Sequence, residues 1–240
     1  MRRKKVILFS LAVFLIVVGA AGSLLWALLR VPDFYAHAAA GVPKEPAARK
    51  LAAKSLVQET TNLVNNLKHA DEWSATFKQA EINSWFIEEL FQEKYDDIVP
   101  EGVSDPRLAI QEDLLQLGFR FQKSGWSGIV SLRLKPWIQA ENQLAIEIET
   151  IRAGIVPIPL EDMLHELTAE LVDSGWNVTW SHANGHDVAI IDLNKSKKAD
   201  SPVLESLAVV KGEVRVRGRR RNAQKPNAEI NNSPRTAFNR

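Results

Sequence analysis

The chain has no cysteine. That excludes disulfide staples, cysteine-ligated zinc and thiol catalysis together, so an apolar core must hold the fold. A serine-hydrolase signature is missing too. Ser124-Gly125-Trp126-Ser127-Gly128 approaches the nucleophile-elbow pattern G-x-S-x-G, but Ile129 stands where the second glycine is required. The segment also joins two strands, whereas that motif leads from a strand into a helix. His182-x-x-x-His186-Asp187 has the i, i+4 imidazole spacing that binds zinc when a helix holds both rings on one face. Here Asn184-Gly185 signals a turn between strand-like segments, which sends the rings to opposite ends of a hairpin, and no third ligand follows Asp187. There is no internal repeat. The sequence therefore assigns no catalytic residue, no metal and no cofactor, and it argues against an enzyme.

Charge is missing from one long stretch. After Arg2, Arg3, Lys4 and Lys5, the run from Val6 to Leu29 carries none. As a helix it spans about 36 Å, enough for the roughly 30 Å hydrocarbon core with some tilt. The basic cluster at 1–5 is expected on the cytoplasmic side, which places Val31 to Arg240 outside. A cleaved leader is the competing reading, with Ala36-His37-Ala38 as its processing site. Leader apolar regions run to about 15 residues, and this one is much longer. An uncleaved signal anchor is thus expected at 6–29. Trp26, with Phe34 and Tyr35 beyond it, suits an interfacial aromatic belt, or the last two are linker residues.

What charge remains is segregated. Residues 31–210 carry 16 Lys/Arg against 27 Asp/Glu, whereas residues 211–240 carry nine against two. An acidic body argues against nucleic acid as a partner. The basic tail, 221–240, is nearly free of apolar residues and reads as disordered, with anionic lipid or polymer as possible contacts.

Residues 30–46, rich in Ala, Pro and Gly, read as a spacer. The domain is expected over 47–220. From Ala47 to Leu67, apolar Leu51, Leu56, Val57, Leu63, Val64 and Leu67 recur at helical spacing, which predicts a juxtamembrane amphipathic helix. Trp73 to Phe77 alternates as a strand, and a second helix follows from Gln79, with Thr76 as its expected N-cap. From Pro106 the period becomes two. Four strands follow, separated by turns at Glu112-Asp113, Ser124-Gly125 and Glu141-Asn142-Gln143, which is a β-meander. Gly154-Ile155-Val156-Pro157-Ile158-Pro159 is expected to break the sheet, and Leu160 to Val172 to form a third helix. Later strands are expected at Trp176–Trp180 and Val188–Leu193, then a hairpin of Leu204–Val210 and Glu213–Arg217. The fold class is α+β: a transmembrane helix, then one antiparallel meander sheet covered by two to three helices.

Trp73 to Asn83, running into a Trp/Phe-rich helix, and Gly154 to Pro159 resemble motifs of the YpmS-like family of single-pass bacterial membrane proteins, whose function is poorly defined. In that family a strand leads to a helix with an acid followed two residues later by Asn, here Glu81 and Asn83. A later strand likewise ends in Gly, an apolar pair and Pro before a helix, here Gly154, Pro157 and Pro159. The resemblance covers roughly residues 70–195. It implies a tethered extracytoplasmic domain at a bacterial inner membrane. By analogy of fold alone, it points to an apolar groove that holds lipid. Trp85, Phe86, Phe119, Leu132, Ile146 and Leu164 are the candidate lining residues, and equally good core. The expected function is a membrane-anchored binding module for a lipid-like or other apolar ligand. The alternative is an interaction protein that docks onto another envelope component with no ligand and no catalysis. The expected partners are the bilayer and a lipid or envelope protein.

Overall fold

The computed structural model describes residues 19–20, 22–91, 99–123, 125–158, 177–183, 185–193 and 201–222. Its helices are α1 (Asp33–Ala40), α2 (Pro46–His69) and α3 (Gln79–Glu88). Its strands are β1 (Glu72–Lys78), β2 (Val103–Gln111), β3 (Leu114–Lys123), β4 (Trp126–Ala140), β5 (Gln143–Ala153), β6 (Val156–Pro157), β7 (Asn177–Ala183), β8 (His186–Asp192), β9 (Pro202–Val210) and β10 (Glu213–Arg220). The class is α+β, with a large antiparallel sheet and few helices.

The large sheet runs β2-β3-β4-β5-β8-β7, and β6 folds back onto β5. Period-two alternation builds β2 to β5, and left-handed residues turn the chain between them. Asp113 (φ 55°), Gly125 (φ 82°) and Asn142 (φ 56°) sit at these reversals, residue types that tolerate positive φ. The break expected at Gly154 to Pro159 is instead a tight reversal, because Gly154 (φ 58°) turns Val156 and Pro157 back against Ala153 and Arg152.

The single sheet that was expected is two. β1, β10 and β9 form a separate three-stranded sheet, in which Trp73 lies opposite Gly218. No local period reveals a pairing between residues so far apart in the chain. The two sheets meet at one end of the large one. There Asp113 N–H donates to Val209 O at 3.0 Å, Gly212 N–H to Ile110 O at 3.0 Å and Leu204 N–H to Asn142 Oδ1 at 2.7 Å.

The small sheet also explains where the helices go. α2 packs on α3 and β1, while α3 lies along the outer edge of β2, so neither covers the broad face of the meander. The predicted stripe on α2 splits. Ala53 is buried and Leu56, Leu63 and Leu67 half-buried, but Leu51, Val57 and Val64 are 70%, 47% and 43% exposed. Successive helical residues turn by about 100°, which sets Leu51 and the two valines off the packed face. Thr76 is not the N-cap of α3. It belongs to β1, whose pairing with β10 runs on to Lys78, and its N–H donates to Glu59 Oε1 at 2.8 Å. Lys78 holds the cap position without a side-chain bond.

Residues read as a spacer are structured. α1 lies on β2 and β3 with Tyr35, Ala38 and Val42 buried. The Tyr35 hydroxyl donates to Asp105, 2.5 Å from its carbonyl and 2.9 Å from its carboxylate. Tyr35 is thus a docking residue and not part of an interfacial belt. The helix approaches so closely because Gly118 lacks a side chain: a Cβ there would lie 2.8 Å from Tyr35 Cδ2 and 3.0 Å from Phe34 Cζ.

Residues 22–29 are helical and end against the β5–β6 turn, where Ile155 N–H donates to Ala27 O at 3.1 Å. Among the described residues no helix is long and apolar enough to cross a membrane. The expected anchor falls largely outside them, at 6–18 and 21. The expected helix at 160–172 and strand residue Trp176 also lie outside the described residues. So does the tail beyond Asn222, although Arg221 is placed, donating its N–H to Ser201 O at 3.0 Å and pairing with Glu141.

Candidate functional site

One face of the large sheet is apolar across β3, β4 and β5 and continues onto β8 and β7 at Ala189 and Trp180, with Asp187 and His182 beside them. By register, Phe119 lies opposite Val130, Leu117 opposite Leu132 and Leu115 opposite Leu134. Leu132 and Leu134 then meet Ile151 and Ile148 of β5, with a bulge between, and Pro136 meets Ile146. Ile146 faces Ala189 of β8, which faces Trp180 of β7. Val130, Ile148 and Ile151 are buried, and Phe119, Phe121, Trp126, Leu132, Leu134, Ile158 and Trp180 pack half-buried around them. The Phe121 and Trp126 rings sit 6.3 Å apart at 50°. The opposite face carries Gln116, Gly118, Ile129 and Ser131, all buried, with α1 laid over Gly118.

Three of the six candidate lining residues, Phe119, Leu132 and Ile146, therefore share one apolar face. Trp85 and Phe86 do not join them. They ride on α3 with ring centroids 6.0 Å apart. Phe86 instead lines a shallow cleft of about 260 Å³ with Ile87, Phe91, Asp105, Pro106 and Arg107. Leu164 and Pro159 lie outside the described residues. The face also includes Phe121, Trp126, Leu134 and Trp180, which were not among the candidates. The alternation of β3 and β4 carries the first three, but only pairing through β8 brings Trp180 to the same side.

The motif residues are structural. Asn83 is 1% exposed. Its Nδ2 donates to Leu108 O, and its Oδ1 accepts from Leu108 N–H, each at 2.8 Å. One turn earlier, Gln79 Oε1 accepts from Ile110 N–H at 2.7 Å. The i, i+4 pair thus occupies the outer edge of β2 as a neighbouring strand would, which protects an edge otherwise open to pairing. Glu81 stays in the first turn of α3 and pairs with Lys78 at 3.3 Å. Gly154 is where the N-terminal helix touches the domain. A Cβ there would press into the Ala27 carbonyl and lie 2.6 Å from Leu28 O. Pro157 pairs opposite Arg152 in β6.

The imidazoles separate, but not to opposite ends of a hairpin as expected: both flank the one turn between β7 and β8 and point to the hairpin's two faces. His182 Nδ1 lies 3.1 Å from Asp187 Oδ1 across the β7–β8 hairpin. His186 Nδ1 lies 2.7 Å from Glu147 Oε1 on β5, an ion-pair approach without hydrogen-bond alignment. Among the described residues no group of three or more His, Asp or Glu could hold a metal ion. On the same sheet, Lys135 and Arg133 both bind Glu149, Arg133 Nε at 2.9 Å from Oε2. The Lys135 hydrogen bond, with Arg133 adding to it, holds the Glu149 carboxyl below the usual range, and Glu149 in turn raises Lys135. Burial, and then the hydrogen bond to Asp105, pushes the Tyr35 phenol up. By register Asp187, opposite Ile148, and His182, opposite Asp187, fall on the apolar side at its β7–β8 corner, whereas Glu147, Arg133 and Lys135 belong to the other face.

No protein-family model matches the chain, and neither the characterised proteins nor the solved structures compared with it give a match.

Proposed function

We propose that the chain is a membrane-anchored, extracytoplasmic binding module of the bacterial envelope that takes a lipid-like or other apolar ligand against the apolar face of its large sheet. The continuity of that face carries the reading. Phe121, Phe119, Leu117 and Leu115 follow one another along β3, flanked by Val130, Leu132 and Leu134 of β4. The Phe121 end lies beside the strand ends that receive the N-terminal helix, since Gly154 N–H donates to Ile129 O at 2.7 Å. An acyl chain leaving a bilayer at that end would pass Lys123 at the rim and then meet apolar side chains. Aliphatic and aromatic walls with few polar groups suit such a ligand.

The test places a photoreactive phenylalanine at Leu132 or at Phe119 of the full chain in native membranes. Lipid adducts at both positions, and none at Arg133 on the other face, are expected. Adducts at a control in the anchor, Trp26, with none at either position would refute the reading. A second reading has its own observation. Val57 and Val64, seven residues apart on α2 and both exposed, form an apolar ridge suited to another envelope protein and requiring neither ligand nor catalysis.

A further inference from the structure

Antiparallel strands put their turns alternately at two ends, and charge divides between those ends. Glu112, Asp113, Glu141 and Asp192 mark the end remote from the N-terminal helix, where Arg221 pairs with Glu141 and Lys211 lies in the adjoining turn. Arg120 and Lys123 on β3 and Arg152 on β5 lie toward the other end, all exposed. Arg30 joins them at the end of the N-terminal helix, its guanidinium 5.3 Å over the Trp26 ring. Asp33 and Glu101 are also there, and Asp105 is engaged by Arg107 and Tyr35.

We propose that Arg30, Arg120, Lys123 and Arg152 form a contact surface for the headgroups of anionic phospholipid at the end of the sheet that meets the N-terminal helix, Lys123 on the apolar side and Arg120 and Arg152 on the opposite side. The proposal rests on the anchored reading, because the anchor sets which end meets the bilayer. Two observations support it independently of composition. First, none of the four cations has an ion pair among the described residues, a state they share with Lys44, Lys50, Lys54, Lys68, Lys211 and Arg217, but the four are grouped at the end where the N-terminal helix meets the sheet. Second, the Gly154 contact and the Ala27–Ile155 hydrogen bond hold this end against the helix, which keeps Arg152 two residues from it. Basic groups beside an anionic leaflet are attracted to it, and salt screens that attraction. The acidic body is thereby turned outward, with its carboxylate turns remote from the lipid.

With no native cysteine, one label can be placed at will. The full chain carrying Gln122→Cys and an environment-sensitive fluorophore is reconstituted into phosphatidylcholine vesicles with or without phosphatidylglycerol. Quenching by lipid-borne nitroxide should be stronger with phosphatidylglycerol and should weaken in high salt. It should also fall to the phosphatidylcholine level in the triple variant Arg120→Ser, Lys123→Ser, Arg152→Ser. Arg120→Lys with Arg152→Lys should keep the effect, separating charge from folding. Equal quenching in both vesicles, or full quenching in the triple variant, would overturn the proposal. An alkaline carbonate wash separates the two readings. Release of the parent chain sinks the anchored reading itself, whereas retention without lipid dependence sinks the headgroup surface alone.

Discussion

Asn83 shows how one side chain can stand in for a strand. Both ends of its amide are satisfied by a single residue, Leu108, in an environment with almost no water. Replacing it leaves a buried N–H and a buried C=O without partners, each costing about 1–3 kcal/mol. Asn83→Ala should therefore lose about 2–4 kcal/mol in urea denaturation. Asn83→Asp should do no better at neutral pH, since a carboxylate oxygen would face the Leu108 carbonyl. Tyr35 works by the same logic at another joint. Its phenol is raised above the ordinary value of 10.0 by burial and by Asp105, so the folded state keeps a proton that the unfolded state loses. That contribution is whole below about pH 10 and fades as pH climbs through the folded value. Tyr35→Phe should be less stable than the parent by about 1 kcal/mol at neutral pH. Denaturation curves above pH 10 should show the gap closing, and a gap independent of pH would contradict the assignment.

Elements were legible in the sequence where their period is local, and hidden where their partner is distant. Leu115, Leu117, Phe119 and Phe121 alternate, and β3 is where they fall. The Lys211-Gly212 turn likewise announces the β9–β10 hairpin. By contrast, nothing near Trp73 says that its opposite residue is Gly218. The outer edge of β2 gave no signal either, because Gln79 and Asn83 reach backbone across 31 and 25 residues. α1 hid for another reason: its Ala-rich turns have no amphipathic pattern, and what docks it is one tyrosine over one glycine. Of the lining residues, alternation found Phe119, Leu132 and Ile146, but it could not place Trp85 on a helix turned elsewhere. The cross-strand set of Arg133, Lys135 and Glu149 makes an element-scale prediction. Its folded-state carboxyl is held low, so its contribution is present above the ordinary value of 4.5 and is lost as pH falls through the folded value. Both cations are more than a third exposed, which limits the effect to less than about 1 kcal/mol. Glu149→Gln should differ from the parent by that much at pH 7 and converge with it in acid, measured by thermal melts across the range.

For the whole molecule, the decisive contact is where the N-terminal helix ends. On the anchored reading proposed above, a loose tether over 30–46 would let the apolar face sample every orientation to the bilayer, and its continuity along β3 would have no direction. The structure removes that freedom at two joints. Ile155 N–H binds the Ala27 carbonyl, and Tyr35 fastens α1 beside Gly118. Gly154 makes the first joint possible, since only glycine combines φ of 58° with so close an approach to Ala27 and Leu28,. A cysteine pair tests whether this joint persists in the full chain reconstituted with lipid. Backbones joined by a hydrogen bond bring their Cα atoms to about 4.4–6.8 Å, the reach of a disulfide. Ala27→Cys with Ile155→Cys should therefore cross-link readily under mild oxidation, seen as a mobility shift that reductant reverses. Ala27→Cys with Glu112→Cys, at the far end of the sheet, should not link. Adding Gly154→Val to the first pair should suppress the link, because its side chain must push the helix end away. Equal cross-linking of the near and far pairs would mean that the domain swings free, and the apolar face would then have no fixed mouth at the bilayer.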